Sequence, residues 1–447
     1  MGDPDLAGAL ALEEYRPGAS AVLADVERWP TASSSDLDRL RHWRTHPDAP
    51  AWTHATGDRL TAAQTVRVRM PLPLEGWLDA HLAAARNTLR YRDVPALDTL
   101  ADFPTVTRAD LAADIAAFVP LDADLDRMVH GTSSGSTGAA LQIPDDVEDV
   151  ARTFHLLRDL ASRLGVRIEP DRGRMVLANL VHQREAFTYV SLVSSFAHTV
   201  MARVNLHPAS WPDAASRRRF LAEADPQILS GHPTSLEAAC DLRDVLHPKV
   251  AFSSAMELSA PLRARIEDAL QCPVIDLYGL HETRPIAWRP DAGPFRVLER
   301  RVLVELLDAD GCAVPDGEVG EITVTAGENL LLPLVRYRTG DFARRVPEGL
   351  ADLEGRAHVV FRAADGRRVP SVDLTQQLQA HGALGWLVAQ DAAGAVRARI
   401  VGGDTTAIDA ALRALLGGEV RVEQIGTLAA LGEGKPRRYT TERGPLG

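Results

Sequence analysis

The chain has 447 residues, 45% of them hydrophobic and 25% charged, which excludes a disordered, fibrous or membrane-spanning protein and suits roughly two to three domains. Its 49 basic and 61 acidic residues leave a formal charge of −12; no long basic run offsets this, so generic binding to nucleic acid or to an anionic membrane is not expected. The acidic start MGDPDLAGALALEEYR has no basic-then-apolar leader, and a cytoplasmic protein is the expectation.

The first hundred residues read as helices and loops, punctuated at Pro47, Pro50, Pro71 and Pro73. In FPTVTRADLAADIAAF, Thr107 is a predicted N-cap, with Asp110 three residues on imitating a capping box. From about residue 145 the pattern alternates. Val147, Val150, Phe154, Leu157 and Leu160 have helical spacing. RMVLANLV, HTVMARVNL, PQILSG, VAFSSA and CPVIDLYG are predicted strands, with PDAASRRRFLAEA, TSLEAACDLRDVL and SAPLRARIEDAL as helices between them. Strands alternating with helices predict parallel α/β layers.

After residue 295 the texture changes. RVLVELLDADGCAVPDGEVGEITVT alternates and breaks at DADG and PDG, as antiparallel strands do. A boundary is expected near 344–356, followed by a small α+β unit: a hairpin at Asp365-Gly366, a helix in VDLTQQLQAHG, a second hairpin, a helix in TTAIDAALRALL and a strand in EVRVEQIG. The tail from Gly432 reads as a polar extension. Cys240, Cys272 and Cys312 are far apart and odd in number, so neither a disulfide framework nor a metal set is expected. Lysine occurs only at 249 and 435; a lysine retained among so many arginines reads either as a place where a compact ammonium serves and a guanidinium does not, or as chance survival.

Four segments carry chemistry. HGTSSGSTG gathers Thr132, Ser133, Ser134, Gly135, Ser136, Thr137 and Gly138, whose backbone N–H groups and hydroxyls can wrap phosphate oxygens. It is not a Walker loop, because no Gly-Lys-Ser/Thr follows. IDLYGLHET ends a predicted buried strand in Tyr278-Gly279 and then offers His281 and Glu282. The C-terminal edge of a parallel sheet is where ligands bind, and a Glu there can hold Mg²⁺. PLVRYRTGD places Asp341 after a glycine turn, able to accept from vicinal hydroxyls. GEGKPRR sets Lys435 between flexible residues near the C-terminus. Taken singly, each also reads as a polar turn, a surface Glu, a turn carboxylate or a solvated basic tail.

In order and spacing, the four segments together resemble the adenylate-forming superfamily of acyl-CoA synthetases and adenylation domains, nearest its phenylacetate–CoA ligase branch, over about residues 100–438. The resemblance implies an α/β protein: a large N-terminal ATP- and acid-binding domain with a β subdomain (1–354), and a small mobile α+β lid (355–447). It implies an AMP-forming ligase. A carboxylate attacks the α-phosphate of ATP–Mg²⁺, and an acceptor then displaces AMP. Residues 132–138 would hold the phosphates, Tyr278 and Gly279 the adenine with Ser254 and Glu257 beside it, Asp341 and Arg356 the ribose, and Glu282 the metal. Lys435 would bridge the carboxylate and the α-phosphate, with His281 donating to a phosphate oxygen. His182, Phe187, Tyr189 and Arg284 would line the acid pocket, for a compact aromatic acid.

The chain departs from that pattern at Ala139-Ala140, at His281, at Ala255 where the family has Gly, and at the hinge, where His358-Val359 replace two acidic residues. These changes put CoA as acceptor in doubt against an amine, a hydroxyl or a carrier protein. They also leave open a nucleotide-binding member without catalysis, or activation of a non-carboxylate such as nitrite. A homodimer is implied by the branch alone.

Overall fold

A computed structural model describes residues 23–125, 128–133, 141–184, 186–355, 359–432 and 438–442. The N-terminal part is helical, with α1 (Ser34–Arg44), α2 (Trp77–Arg86) and α3 (Arg108–Ala113). The capping box at α3 is present. Thr107 Oγ1 accepts from Asp110 N, and Thr107 N donates to the Asp110 carboxylate at 2.8 Å.

An antiparallel hairpin of β1 (Val129–Ser133) and β2 (Leu141–Asp145) follows, with Ser133 opposite Leu141. The long helix α4 (Val147–Arg163) then begins where the Asp146 carboxylate accepts from the N–H groups of Glu148 and Asp149, satisfying two donors that the first turn leaves unpaired.

The chain next builds an eight-stranded sheet from β3 (Leu177–Val181), β4 (Tyr189–Val193), β5 (Thr199–Asn205), β6 (Ile228–Gly231), β7 (Val250–Ser254), β8 (Val274–Leu280), β9 (Arg284–Arg289) and β10 (Arg296–Val297). Their order is β10-β9-β8-β7-β6-β3-β5-β4. The five central strands, β8 to β5, are parallel, as the alternating pattern predicts, whereas β4, β9 and β10 join the edges antiparallel.

Helices cover both faces. Along β7, Ala251 points toward α5 (Ala214–Ala224), α6 (Pro233–Ala239) and α7 (Ala260–Leu270), where it packs with Phe220, Leu236 and Ile266. Its neighbours Val250 and Phe252 point the other way, to Phe154, Leu157 and Leu160 of α4. This period of two, apolar on both faces, is what a buried parallel strand needs.

A second, four-stranded antiparallel sheet contains β11 (Val302–Leu307), β12 (Val319–Ala326), β13 (Leu334–Val346) and β14 (Gly349–Glu354). The segment expected to hold a boundary is therefore mostly the β13–β14 hairpin of this sheet, paired Val346 to Gly349. A separate, smaller α/β unit follows: the hairpin β15 (Val360–Arg362) and β16 (Arg368–Pro370), helices α8 (Ser371–Ala380) and α9 (Thr405–Leu416), and a sheet in which β17 (Ala383–Gln390), β18 (Val396–Gly402) and β19 (Val420–Ile425) are joined by β20 (Tyr439–Thr441). The predicted polar extension is corrected at this point. Tyr439–Thr441 pairs in parallel with Val388–Gln390, because Tyr439 brings an apolar ring to Phe361 and accepts from Trp386 Nε1 at 2.7 Å.

This unit has its own core around Phe361, Leu374, Trp386 and Leu412. It also lends Val401, Leu428 and Leu431 to the core beneath the large sheet. Among the described residues no helix is long and apolar enough to cross a membrane.

Candidate active site

The central strands end together on one side of the large sheet, and the polar residues singled out from the sequence gather beyond β7 and β8. Tyr278 sits near the end of β8, buried. Its hydroxyl donates to Oδ2 of Asp341 at 3.0 Å, across the seam to the second sheet. Asp341 is only 7% exposed. Gly340 before it turns with φ +77°, and its N–H donates to Glu321 Oε1 at 3.0 Å. Thr339 Oγ1 accepts from Asp341 N at 3.0 Å and donates to Ile322 O. The turn is thus held at three points before it presents its carboxylate.

Gly279 has a steric reason. A Cβ there would lie 2.5 Å from Arg284 O and 2.7 Å from Pro285 Cα, so β8 and β9 could not close around the turn His281–Thr283. Closing that turn also puts Arg284 at φ +64°, a region that non-glycine residues seldom occupy.

The Arg284 side chain was an expected pocket residue. It is buried and paired, Nη2 to Asp145 Oδ1 and Nε to Asp149 Oδ2, each at 2.6 Å. Burial works against its charge, but the two carboxylates more than offset it and hold its pKa above the usual guanidinium range. Its charge is therefore already matched within the protein. His281 Nε2 lies 3.4 Å from Oδ2 of the same Asp145. Glu282 is 2% exposed and forms an ion pair with Arg108 at the start of α3.

One strand away, Ser254 ends β7, its carbonyl 3.3 Å from His232 Nδ1. Ala255 follows in the left-handed region at φ +67°. The resembled pattern has glycine at this position, and the alanine holds the left-handed conformation at a conformational cost. Glu257, two residues on, is engaged by the small unit. Arg438 pairs with its carboxylate and donates from Nη2 to its carbonyl at 2.8 Å, and Gln379 Nε2 donates to Oε1 at 2.9 Å.

The aromatic group lies elsewhere. Tyr189 is on β4, five strand positions from β8, which at about 4.8 Å per strand is about 24 Å. Phe187 is 46% exposed and stacks with Tyr189 at 6.3 Å, with the Arg203 guanidinium 4.2 Å from its ring. Burial pushes the Tyr189 phenol up. His182 lies just beyond β3, its ring 5.7 Å from that of His207. The fold brings Ser254, Tyr278, Gly279 and Glu282 to the ends of the neighbouring strands β7 and β8 or just beyond them, sets Asp341 of β13 against Tyr278, and leaves Phe187 and Tyr189 at the sheet's far edge.

Thr132 and Ser133 belong to β1. Ser134, Gly135, Ser136, Thr137, Gly138, Arg356 and Lys435 lie outside the described residues. Sequence reasoning missed Arg108, Asp145, Asp149 and Arg438. Each is an ordinary charged residue in its own segment, and only its partner, more than 130 positions away in each pair, gives it meaning.

A buried carboxylate and a buried phenol thus meet close to the end of a parallel strand, the region where α/β sheets bind ligands. The family model described as AMP-binding enzyme matches residues 132–331.

That match lies within a longer similarity. Phenylacetate-coenzyme A ligase of Aromatoleum evansii is 23% identical over 348 residues, covering 72% of this chain and 74% of the relative. Phenylacetate-coenzyme A ligase of Pseudomonas putida is 35% identical over 92 residues, covering 19% and 21%. Among solved structures, 2-hydroxyisobutyryl-CoA ligase in the postadenylation state with its adenylate shares the fold. It covers 86% of this chain and 94% of its own, at 16% identity and a TM-score of 0.58.

Proposed function

We propose that this protein is an AMP-forming ligase that activates a small carboxylic acid, aromatic by preference, with ATP and passes the acyl group to CoA. The observation that carries the reading is the Tyr278–Asp341 pair at the end of β8, next in the sheet to Ser254. A carboxylate becomes a good electrophile once its oxygen is part of a leaving group. The protein's work is to hold the acid and the α-phosphate in line and to neutralise the charge that builds between them. In this reading Asp341 accepts from the ribose hydroxyls with Arg356 beside it, Tyr278 packs the base, residues 132–138 bind phosphate oxygens, and Lys435 bridges the two reacting groups.

Magnesium suits a site that offers one carboxylate alongside substrate phosphates. Glu282 is that carboxylate, and it would share its charge between the metal and Arg108. Bound there, Mg²⁺ supplies charge neutralisation to the phosphates. A carrier protein or an amine in place of CoA remains the alternative acceptor.

The Arg108–Glu282 pair also favours a second reading, in which the protein binds nucleotide without catalysis, because the metal carboxylate is already neutralised. Acid-dependent ATP–pyrophosphate exchange separates the two. Exchange with an aromatic acid pool, lost by orders of magnitude in Lys435→Ala while ATP still binds, supports the ligase. Nucleotide binding with no exchange for any acid supports the second reading. CoA-stimulated AMP release identifies the acceptor, and indifference to CoA rejects it.

A further inference from the structure

We propose that a groove along α4 is a second binding site, for a small organic molecule carrying a phosphate or pyrophosphate group. The groove has a volume of about 880 Å³ and runs between α4, the segment 68–71 and the turn 298–300. That size suits a small-molecule ligand.

Its charge is opposite to that of the protein. Arg69, Arg152, Arg158, Arg163, Arg167 and Arg300 line it with Asp159, Glu169 and Glu299; Glu148 and Glu328 behind the lining pair with Arg152 and Arg300, which leaves the groove an excess of one positive charge in a chain of net −12. The three carboxylates lie toward the end of α4 and are used there: Asp159 and Glu299 by Arg163, at 3.2 and 3.9 Å, and Glu169 by Arg167, at 3.8 Å. The end nearer the middle of α4 is left with Arg69, Arg152, Arg158, Arg300 and His155.

Three of these residues have a nitrogen without a partner. Arg152 Nε, His155 Nδ1 and Arg300 Nε are buried and have no hydrogen-bond partner among the described residues. Arg152 and His155 are themselves 4% and 6% exposed. The rest of each side chain is held. Arg152 Nη2 donates to Glu148 at 2.8 Å, Arg300 Nη2 donates to Glu328 at 2.9 Å, and His155 Nε2 meets Ser195 Oγ at 2.8 Å. A buried donor left unpaired costs about 1–3 kcal/mol, so Arg152 Nε on α4 and Arg300 Nε across the groove from it each gain from an acceptor that reaches them, and His155 Nδ1 joins them in the tautomer in which Ser195 donates to Nε2. A phosphate has several acceptor oxygens and matches the guanidinium fork. The groove also has apolar surface for the rest of such a ligand in Leu156, Leu298 and Phe196, with the Arg158 guanidinium 5.3 Å from the Phe196 ring.

The test is arginine labelling of the full chain with phenylglyoxal, read residue by residue by peptide mass spectrometry. Inorganic pyrophosphate should slow labelling of Arg158 and Arg69 several-fold and leave the exposed Arg421 of β19 unchanged. AMP should protect at lower concentration than orthophosphate, because its organic part covers the apolar wall. In Arg158→Gln the protection of Arg69 should fall away. Unchanged rates at Arg158 and Arg69 would overturn the proposal. So would equal protection by sodium chloride at matched ionic strength, which marks screening alone. AMP no better than orthophosphate overturns the organic ligand. The readout does not use turnover, so this site and the acid-activating reading can fail independently.

Discussion

The hydroxyl of Tyr278, near the end of β8, donates to Asp341 on β13 at 3.0 Å, and in doing so ties the two sheets of the large unit together at the proposed nucleotide site. A hydrogen bond to a charged group is worth about 1.5–3 kcal/mol when both partners are buried. Tyr278→Phe should therefore lower the free energy of unfolding by about that much. Asp341→Asn keeps the shape and removes the charge, and should weaken nucleotide binding about tenfold or more. Calorimetric titration with AMP checks the second effect and urea unfolding the first. Unaltered AMP affinity in Asp341→Asn would remove that residue from the site.

Arg438 and Glu257 hold the small unit against the loop that follows β7. The side chains are partly exposed, at 18% and 29%, so the pair itself contributes at most about 1 kcal/mol. Arg438→Ala should loosen β20 and α8 without disturbing the large sheet. Amide hydrogen exchange should rise in residues 371–380 and 439–441 and stay constant in β6 and β7.

Ala255 occupies φ +67°, where a Cβ costs about 1 kcal/mol. Ala255→Gly should raise stability by about 0.5–1 kcal/mol, and Ala255→Val should lower it. Thermal unfolding of the two variants in parallel tests the sign, since both keep the same backbone hydrogen bonds.

His81 and His155 set an acid limit. Burial lowers each to about 4, helped for His155 by Arg158 and Arg69, and opposed for His81 by the Leu334 carbonyl that its Nε2 faces at 2.9 Å. Both are neutral when folded and protonate near 6.5 when unfolded. The unfolded state thus binds more protons between pH 6.5 and 4. Their contribution is complete above 6.5 and is lost as the pH falls through that window, on the order of 3 kcal/mol for each. Unfolding free energy measured from pH 7 to pH 4 should decline steeply, and His81→Gln should make the decline shallower. A profile unchanged by that substitution would contradict the assignment.

Much of this was readable along the chain because its physical cause is local. The strands β3, β5, β6, β7 and β8 and the helices between them are written in apolar spacing. The cap at Thr107 needs only Asp110, three residues away. The motif around Tyr278 and the turn before Asp341 are short, and a glycine at 279 or 340 is needed by its near neighbours. The antiparallel edge β4 and the short strand β20 escaped, because a strand at the rim is defined by the partner it finds and carries little pattern of its own.

What the sequence determined by itself, then, is the order of elements and the kind of chemistry on offer, since periodicity, capping and turn formation are interactions among near neighbours. Tertiary structure alone decided which charges meet. It set Arg284 between Asp145 and Asp149, Arg108 on Glu282 and Arg438 on Glu257, and it left Phe187 and Tyr189 at the opposite edge of the sheet from Tyr278. Those pairings depend on how strands are ordered and helices packed, and an isolated charged residue gives no sign of a partner a hundred positions away.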